Sequence, residues 1–534
     1  MYQTKNTLSQ KMRRPFNSSL PKNLIALLVV SFVVRVFFAG WIELGNDEVY
    51  YWTYALFPDW SHFDHPPMVG WVIQLFSLNL LFDSELFLRL SSVVLMTANT
   101  LIVFLIGRKI ADERTGFYAA LLYTASVYAF VITGIFILPD TPQNFFWFLS
   151  LYGFITAFSA TEEPTQNRWI LLAGLFTGLG IISKYTSVFL WLGAGLYILF
   201  YDRKWLNKWS LYVAVLISML LLIPVIWWNI QTDFISFSFQ GERVNLFAGS
   251  LRPDLFFTEL AGQILYNNPI NFALIILGLI AAFRSKLQLT KKVEKLLLFS
   301  ALPLIAIFLF FSLFRPTLPH WTSPGYNTLL FFAAARLASL QKISSPNIPK
   351  SIKAALILLA AILLIGSLQI KFGLIPIPDK NPYHKLGDQD VSLDMFGWRG
   401  LDIPFEEAIS AHIENGEMPT NAAIIANNWF PLAHIDYYVA RPLGMKVLGM
   451  GKAEKLHKYL WINDERNGFK LGADYWYLTN SRDYVNPKEI YSASFREIIP
   501  ADTINVYRSG KPAKRYFLFM LKDLQQLPEQ LILH

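Results

Sequence analysis

The chain has 534 residues, of which 54% are hydrophobic and 16% aromatic but only 16% charged, and its mean hydropathy is +0.37. That composition excludes an ordinary soluble protein and predicts a polytopic α-helical membrane protein. The formal charge of +8 lies mostly in short loops between apolar runs, so it reports topology and no nucleic-acid partner, and the lack of cysteine excludes disulfides and thiolate chemistry.

The first apolar run, residues 23–41, contains Arg35 and is followed by many more such runs, so it reads as a signal anchor rather than a cleaved leader. The loop after it, 42–85, places Glu43, Asp47, Glu48, Asp59, Asp64, Asp83 and Glu85 together without a Lys or Arg. Because a carboxylate is costly to desolvate, acid gathered beside a membrane span is a candidate site. Ten further candidate spans follow near 86–107, 116–136, 143–160, 169–183, 186–201, 210–227, 268–284, 296–314, 322–338 and 353–371, making about 11 in all. With the N-terminus in the cytoplasm, the outer loops keep only Lys184, Arg243, Arg252 and Arg315, while basic pairs such as Arg108-Lys109, Arg203-Lys204 and Lys291-Lys292 fall inside. The acidic loop, the turn 138–142, the loop 228–267 and the turn 315–321 then open on one extracytoplasmic face, together with everything beyond about 372.

That tail changes character. Its apolar runs shorten to strand length at 422–426, 474–478 and 515–521, after a helical stretch near 403–415. The expected organisation is a transmembrane domain, 1–371, and a C-terminal soluble α/β domain, 372–534, large enough for a core of its own.

Asp47, with Glu48 beside it, is a candidate general base just beyond a span, although Asn46 or Asp47 would also make a sound helix cap. Asp140, between Pro139 and Pro142, either caps the next helix or faces Asp47, orienting a sugar or sharing a divalent metal with it. Asp64-His65-Pro66-Pro67 reads as a rigid turn with polar lining; His62 and His65 lack a well-spaced third zinc ligand. Lys184-Tyr185, Arg243, Arg315 and His320 supply cations on a face otherwise depleted of them, which suits an anionic ligand such as phosphate better than headgroup snorkelling. Trp52, Trp60, Trp71, Trp227, Trp228 and Trp321 fit an interfacial belt.

The segments NDEVYYW, HFDHPP, LPDTPQNFFW, GLGIISKYTSVFL, IPVIWWNIQTDFISFSFQ and RPTLPHWTSPGY, in this order, together resemble the bacterial relatives of dolichyl-phosphate-mannose protein mannosyltransferases. These are GT-C membrane glycosyltransferases of the family 39 type, and more distantly the pattern resembles lipid A aminoarabinose transferase. The resemblance covers about 23–340, and FGWRGL, NNWFPLAHIDYYVA and DYWYLTNSRDY resemble the attached extracytoplasmic domain. It implies transfer, with inversion, of a sugar from a polyprenyl-phosphate donor to an envelope lipid, glycan or protein acceptor at a bacterial inner membrane. It places the family's acids on Asp47, with Glu48 adjacent, and on Asp140, and a phosphate-meeting base on Lys184. A transporter or flippase of lipid-linked saccharides, or a surface polysaccharide polymerase or ligase, is the alternative.

Overall fold

The computed structural model describes residues 20–244, 250–341, 347–377 and 383–528. Each of the eleven expected apolar runs coincides with helix. In chain order these are Lys22–Trp41, Glu85–Ile110, Glu113–Ala125 continued by a π-turn, Asp140–Ser159, Glu163–Ile181, Tyr185–Tyr201, Trp209–Gln231, Pro269–Phe283, Lys291–Phe311, Ser323–Leu340 and Lys350–Phe372. Five are long and apolar enough to cross a membrane by themselves. A sixth span arises if Pro253–Tyr266 and Pro269–Phe283, bent by 96°, count as one.

Of the remaining helices, Glu113–Ala125, Tyr185–Tyr201 and Pro269–Phe283 are short, while Asp140–Ser159, Glu163–Ile181 and Ser323–Leu340 carry buried polar residues. Lys22–Trp41, Trp209–Gln231 and Lys350–Phe372 bury little of themselves and present apolar surface outward. Asp140–Ser159 buries Gln143, Asn144, Ser150 and Thr156 among its neighbours, where Ser150 bonds Thr177 at 2.6 Å. Helix faces that must touch carry glycine: a Cβ at Gly174 would stand 2.4 Å from the Ala214 carbonyl, so only glycine allows that contact.

Beyond Phe372 the chain builds a five-stranded mixed sheet from β1 (Ile424–Ala426), β2 (Val447–Gly449), β3 (Tyr475–Asn480), β4 (Phe495–Arg508) and β5 (Lys511–Leu524), in the order β2-β1-β3-β5-β4. The helix Asp402–Glu414 and three of the strands fall where the apolar runs put them. The two edge strands, β2 and β4, were not anticipated. The first is three residues long, and the second alternates charged with apolar residues and shifts register at Pro500, as edge strands do.

The tail does not keep both faces of this sheet to itself. One face packs Ile425, Tyr477, Phe519 and Leu521 with its own residues. The other shares one apolar cluster with the first outer loop, where Val49, Tyr50, Trp52 and Tyr54 meet Ile424, Leu432, Tyr437 and Trp476. Trp52 is therefore core against Tyr437 rather than interfacial belt, and Trp228 stacks near Trp461. Polar contacts close the seam. Glu43 accepts the backbone N–H groups of Gly397, Trp398 and Arg399, Glu85 holds Arg399 at 2.9 Å, and Asp83 pairs with Arg441.

Two lysines of the tail are buried. Lys458 donates to His62 Nδ1 at 2.7 Å and Lys514 lies over the Trp398 ring; burial pushes each ammonium down to about 7, against the opposing pull of Asp59 on the first and Glu43 on the second. Between pH 7 and the ordinary lysine range the unfolded chain binds more protons than the folded one, so stability rises with pH across that window. The apparent melting temperature of the detergent-purified protein is expected to climb from pH 7 to pH 9, and Lys458→Met is expected to flatten the rise; an unchanged slope refutes the assignment.

Candidate active site

The first outer helix, Asn46–Leu56, is held by its third residue. Glu48 Oε2 accepts the Gly45 N–H at 2.8 Å, closing the helix start in capping-box fashion. Both Glu48 oxygens then meet Arg89, at 2.7 Å to Nε and 2.5 Å to Nη2. Arg89 uses its remaining donors on the carbonyls of Ala39, Ile42 and Glu43, where the first span ends, and Glu48 Oε1 also accepts the Ile137 N–H at 3.0 Å. Glu48 is thus buried and saturated, a positioning residue rather than the catalytic acid expected beside Asp47. Asp47 occupies the next position round the helix, about 100° away, and is exposed.

Asp140 opens the helix Asp140–Ser159, as the turn residues indicated, and is itself buried. Its Oδ2 receives Lys184 Nζ at 2.7 Å, His320 Nε2 stands 4.0 Å from the same oxygen, and Tyr128 donates to Oδ1 at 3.3 Å. Lys184 precedes the 3-10 turn Tyr185–Val188, which Gln143 ties to the Asp140 helix through Thr186 at 2.7 Å. The imidazole of His320 is not a cation at neutral pH. Burial, outweighing the pull of Asp140, lowers it to about 4.

Asp64 is the third acid. It accepts the Tyr50 hydroxyl at 2.9 Å and that of Tyr54, and His65 Nε2 lies 3.9 Å from Oδ2. Burial alone would raise this carboxyl, but His65, His457 and the two phenols hold it below the ordinary range. The buried ring of Tyr51 joins the groups: it lies within electrostatic reach of Asp64, Asp47 and Asp140 and packs 5.8 Å from His65.

The seven acids of the first outer loop therefore separate. Glu43, Asp83 and Glu85 dock the tail, Asp59 accepts the Trp228 indole N–H at 2.7 Å, and Glu48 binds Arg89, leaving Asp47 and Asp64 around Tyr51 with Asp140. Tyr185 sits on the turn next to Lys184, with Ser61 and Ser236 beside its hydroxyl. Arg315 is half-buried on the turn that carries His320 and makes no ion pair among the described residues. Arg243 is the last residue but one of the helix Ile235–Val244, and its side chain lies outside the described residues.

A divalent metal on Asp47 and Asp140 does not fit this donor set, because Asp140 already meets an ammonium at one oxygen and a phenol at the other. Among the described residues no group of three or more His, Asp or Glu could hold a metal ion. Sequence reasoning missed Arg89 and Tyr51. Arg89 had a signal, since an arginine inside an expected span needs an acid, but the sequence did not say which of the loop's seven acids it would take.

Helices of membrane-spanning length, acids and a lysine gathered at one end of them, and a sheet seated over the loop after the first helix make up a polytopic membrane protein with an attached α/β part. A family profile described as dolichyl-phosphate-mannose-protein mannosyltransferase matches residues 64–228. The lipid A galacturonosyltransferase RgtD of Rhizobium johnstonii is 24% identical over 188 residues, 35% of this chain and 38% of that protein. An uncharacterized protein of Aquifex aeolicus is 24% identical over 317 residues, 57% of this chain and 58% of its own. The chain thus matches less than two thirds of the length of either relative. Crystal structures of ArnT from Cupriavidus metallidurans superimpose on nearly the whole chain. The one bound to undecaprenyl phosphate gives a TM-score of 0.62 over 94% of this chain and 98% of that one at 15% identity, and the apo form gives 0.61 over 93% and 97% at 14%. The resemblance read from the motifs, to GT-C glycosyltransferases of the family 39 type, is supported by these matches, and the chain is a multi-pass membrane protein.

Breaking the Glu48–Arg89 pair from one side strands a buried charge, at a cost of about 3–5 kcal/mol. Arg89→Met is expected to reduce accumulation and melting temperature sharply, and adding Glu48→Gln to it is expected to restore part of the loss. Thermal melts of the single and double variants check this; strict additivity would show that the pair carries no coupling.

Proposed function

We propose that the protein is an integral inner-membrane glycosyltransferase that transfers a sugar from a polyprenyl-phosphate donor to an envelope lipid, glycan or protein acceptor on the extracytoplasmic face, with inversion. The observation that carries this reading is the convergence of exposed Asp47 with the Asp140–Lys184–His320 cluster around Tyr51. Support comes from the relative named for lipid A glycosylation and from the fold shared with a protein solved with undecaprenyl phosphate.

In the proposed reaction the acceptor hydroxyl attacks the anomeric carbon in line with the departing phosphate. The new C–O bond forms as the sugar–phosphate bond breaks, the hydroxyl proton passes to Asp47, and the lipid phosphate leaves with the electron pair. Lys184, oriented by Asp140, and Arg315 receive the growing negative charge, while neutral His320 donates a hydrogen bond to it. Asp64, fixed by Tyr50 and Tyr54, and His65 line the sugar side; Tyr185 supports Lys184. The chain divides functionally into the membrane part, 1–371, which holds the chemistry, and the sheet-bearing part, 372–534, which roofs it. The N-terminus lies in the cytoplasm and the roof outside.

A transporter of lipid-linked saccharides would place broken helices in two matching halves, whereas the described residues contain one bent pair, Pro253–Tyr266 with Pro269–Phe283. A polysaccharide polymerase or ligase would need a site that moves whole glycans, and nothing in the cluster around Tyr51 favours that.

Removal of one general base costs about 10²–10⁴ in rate. Asp47→Asn is expected to lower transfer by that factor, read by mass spectrometry of envelope lipids and glycans from a deletion strain carrying the variant, while protein level and undecaprenyl phosphate binding hold. Unaffected transfer would remove Asp47 as the base.

A further inference from the structure

The short helix Met68–Phe76 and the turn after it, residues 77–82, join the Asp64–His65 turn to the Glu85–Ile110 helix and contain no Asp, Glu, Lys or Arg. Apart from the Trp71 indole, the helix has one polar side chain, Gln74, whose amide donates inward to the Ala55 carbonyl at 3.1 Å and to Asn79 Oδ1 at 3.2 Å. Val69, Val72 and Ile73 are buried, whereas Leu75, Leu78, Leu81 and Phe82 are 68%, 61%, 72% and 45% exposed. Trp71 lies one turn before Leu75, and its ring is 6.1 Å from that of exposed Trp60. A helix that is apolar on its open face as well as on its buried one is matched by hydrocarbon and not by water.

The backbone of the turn aims the leucines outward. Leu78, Asn79 and Leu80 have φ of 52°, 56° and 62°, a left-handed conformation that residues other than glycine adopt at a cost and keep only where neighbours hold them. Here Asn79 N–H donates to the Gln74 carbonyl at 2.7 Å, Leu80 N–H to the Ser77 hydroxyl at 2.9 Å and Phe82 N–H to the Ser77 carbonyl at 3.0 Å. Leu80 packs against the core shared with the tail, while Leu78 and Leu81 stand open. The acids that follow are matched by guanidiniums of the tail: Asp83 pairs with Arg441 and Glu85 with Arg399, both arginines partly exposed. Phe82 stacks on Phe87, in the first turn of the Glu85–Ile110 helix, at 4.9 Å. The open apolar surface therefore runs without a break into a helix long enough to cross a membrane.

We propose that this segment is a membrane hook, in which Leu75, Leu78, Leu81 and Phe82 are immersed in the leaflet on the side of the sheet-bearing part, with Arg399 and Arg441 meeting its phosphate headgroups. Lipid is the occupant because the surface carries no charge and continues into a span. Since Leu80 and Asp83 hold the tail from behind, the hook ties that part of the chain to the bilayer surface. The hook does not depend on the reaction proposed above.

The chain has no cysteine, so single cysteines can report depth. Leu75→Cys and Leu81→Cys are each labelled with a nitroxide in the full-length protein, reconstituted in nanodiscs of phosphatidylcholine and phosphatidylglycerol. Collisions with oxygen and with a water-soluble nickel chelate are read by electron paramagnetic resonance, with exposed Phe37→Cys in the first span and exposed Leu471→Cys in the tail as references. Both hook labels are expected to shift to the high oxygen and low nickel access of Phe37→Cys. Ratios matching Leu471→Cys overturn the hook, and so does shielding from both reagents with dipolar broadening between labels, which would put a second copy of the chain on this face.

Discussion

The buried pair between Arg89 and Glu48 is the constraint from which the geometry of the candidate site follows. One guanidinium closes the end of the first span through three carbonyls and fixes the start of the first outer helix through a carboxylate. The same carboxylate takes the backbone N–H of Ile137, three residues before Asp140. The helix presenting Asp47 and the turn presenting Asp140 therefore hang from one ion pair. A buried pair of this kind adds little net stability over apolar packing, but its fixed fork geometry specifies which backbones meet.

The tail is built into this frame. Three of the loop's acids, Glu43, Asp83 and Glu85, are spent on it, and its sheet uses the aromatic face of the first outer helix as half of its core. Tyr50 shows the consequence. It belongs to that shared core, donates to Asp64, and stands 5.0 Å from the Trp429 ring of the tail. A displacement of the sheet would disturb the hydrogen bonds that hold Asp64, so the roof and the site move together or not at all.

Much of the fold was legible because a bilayer enforces it. Each apolar run of the right length became a helix, and the Pro139-Asp140-Thr141-Pro142 turn placed its acid at a helix start as proline and aspartate require. What was not legible is what burial decides. Asp47 and Glu48 are adjacent in sequence and chemically alike, yet one is exposed and the other saturated, because consecutive helix positions face different ways and only the fold says where Arg89 will be. His320 looked like a cation and is held neutral, since an imidazole titrates close enough to neutrality for burial to decide its charge. The Pro253–Tyr266 helix escaped notice because its stripe of Glu259, Gln263 and Tyr266 reads as an ordinary polar loop until the bend brings it against Pro319.

Two acids in one cluster can take opposite tasks only if their surroundings differ. Asp140 is buried and matched at once by the Lys184 ammonium and the Tyr128 phenol, an arrangement that favours the ionised form and leaves little gain from accepting a proton. Asp47 stands on the exposed side of its helix, and as the proposed base it is open to an acceptor hydroxyl and can pass a proton on to water. In the proposed reaction the division of labour runs from the exposed acid to the neutralised one, and Arg89 sets it by claiming Glu48, the only other carboxylate on the Asn46–Leu56 helix.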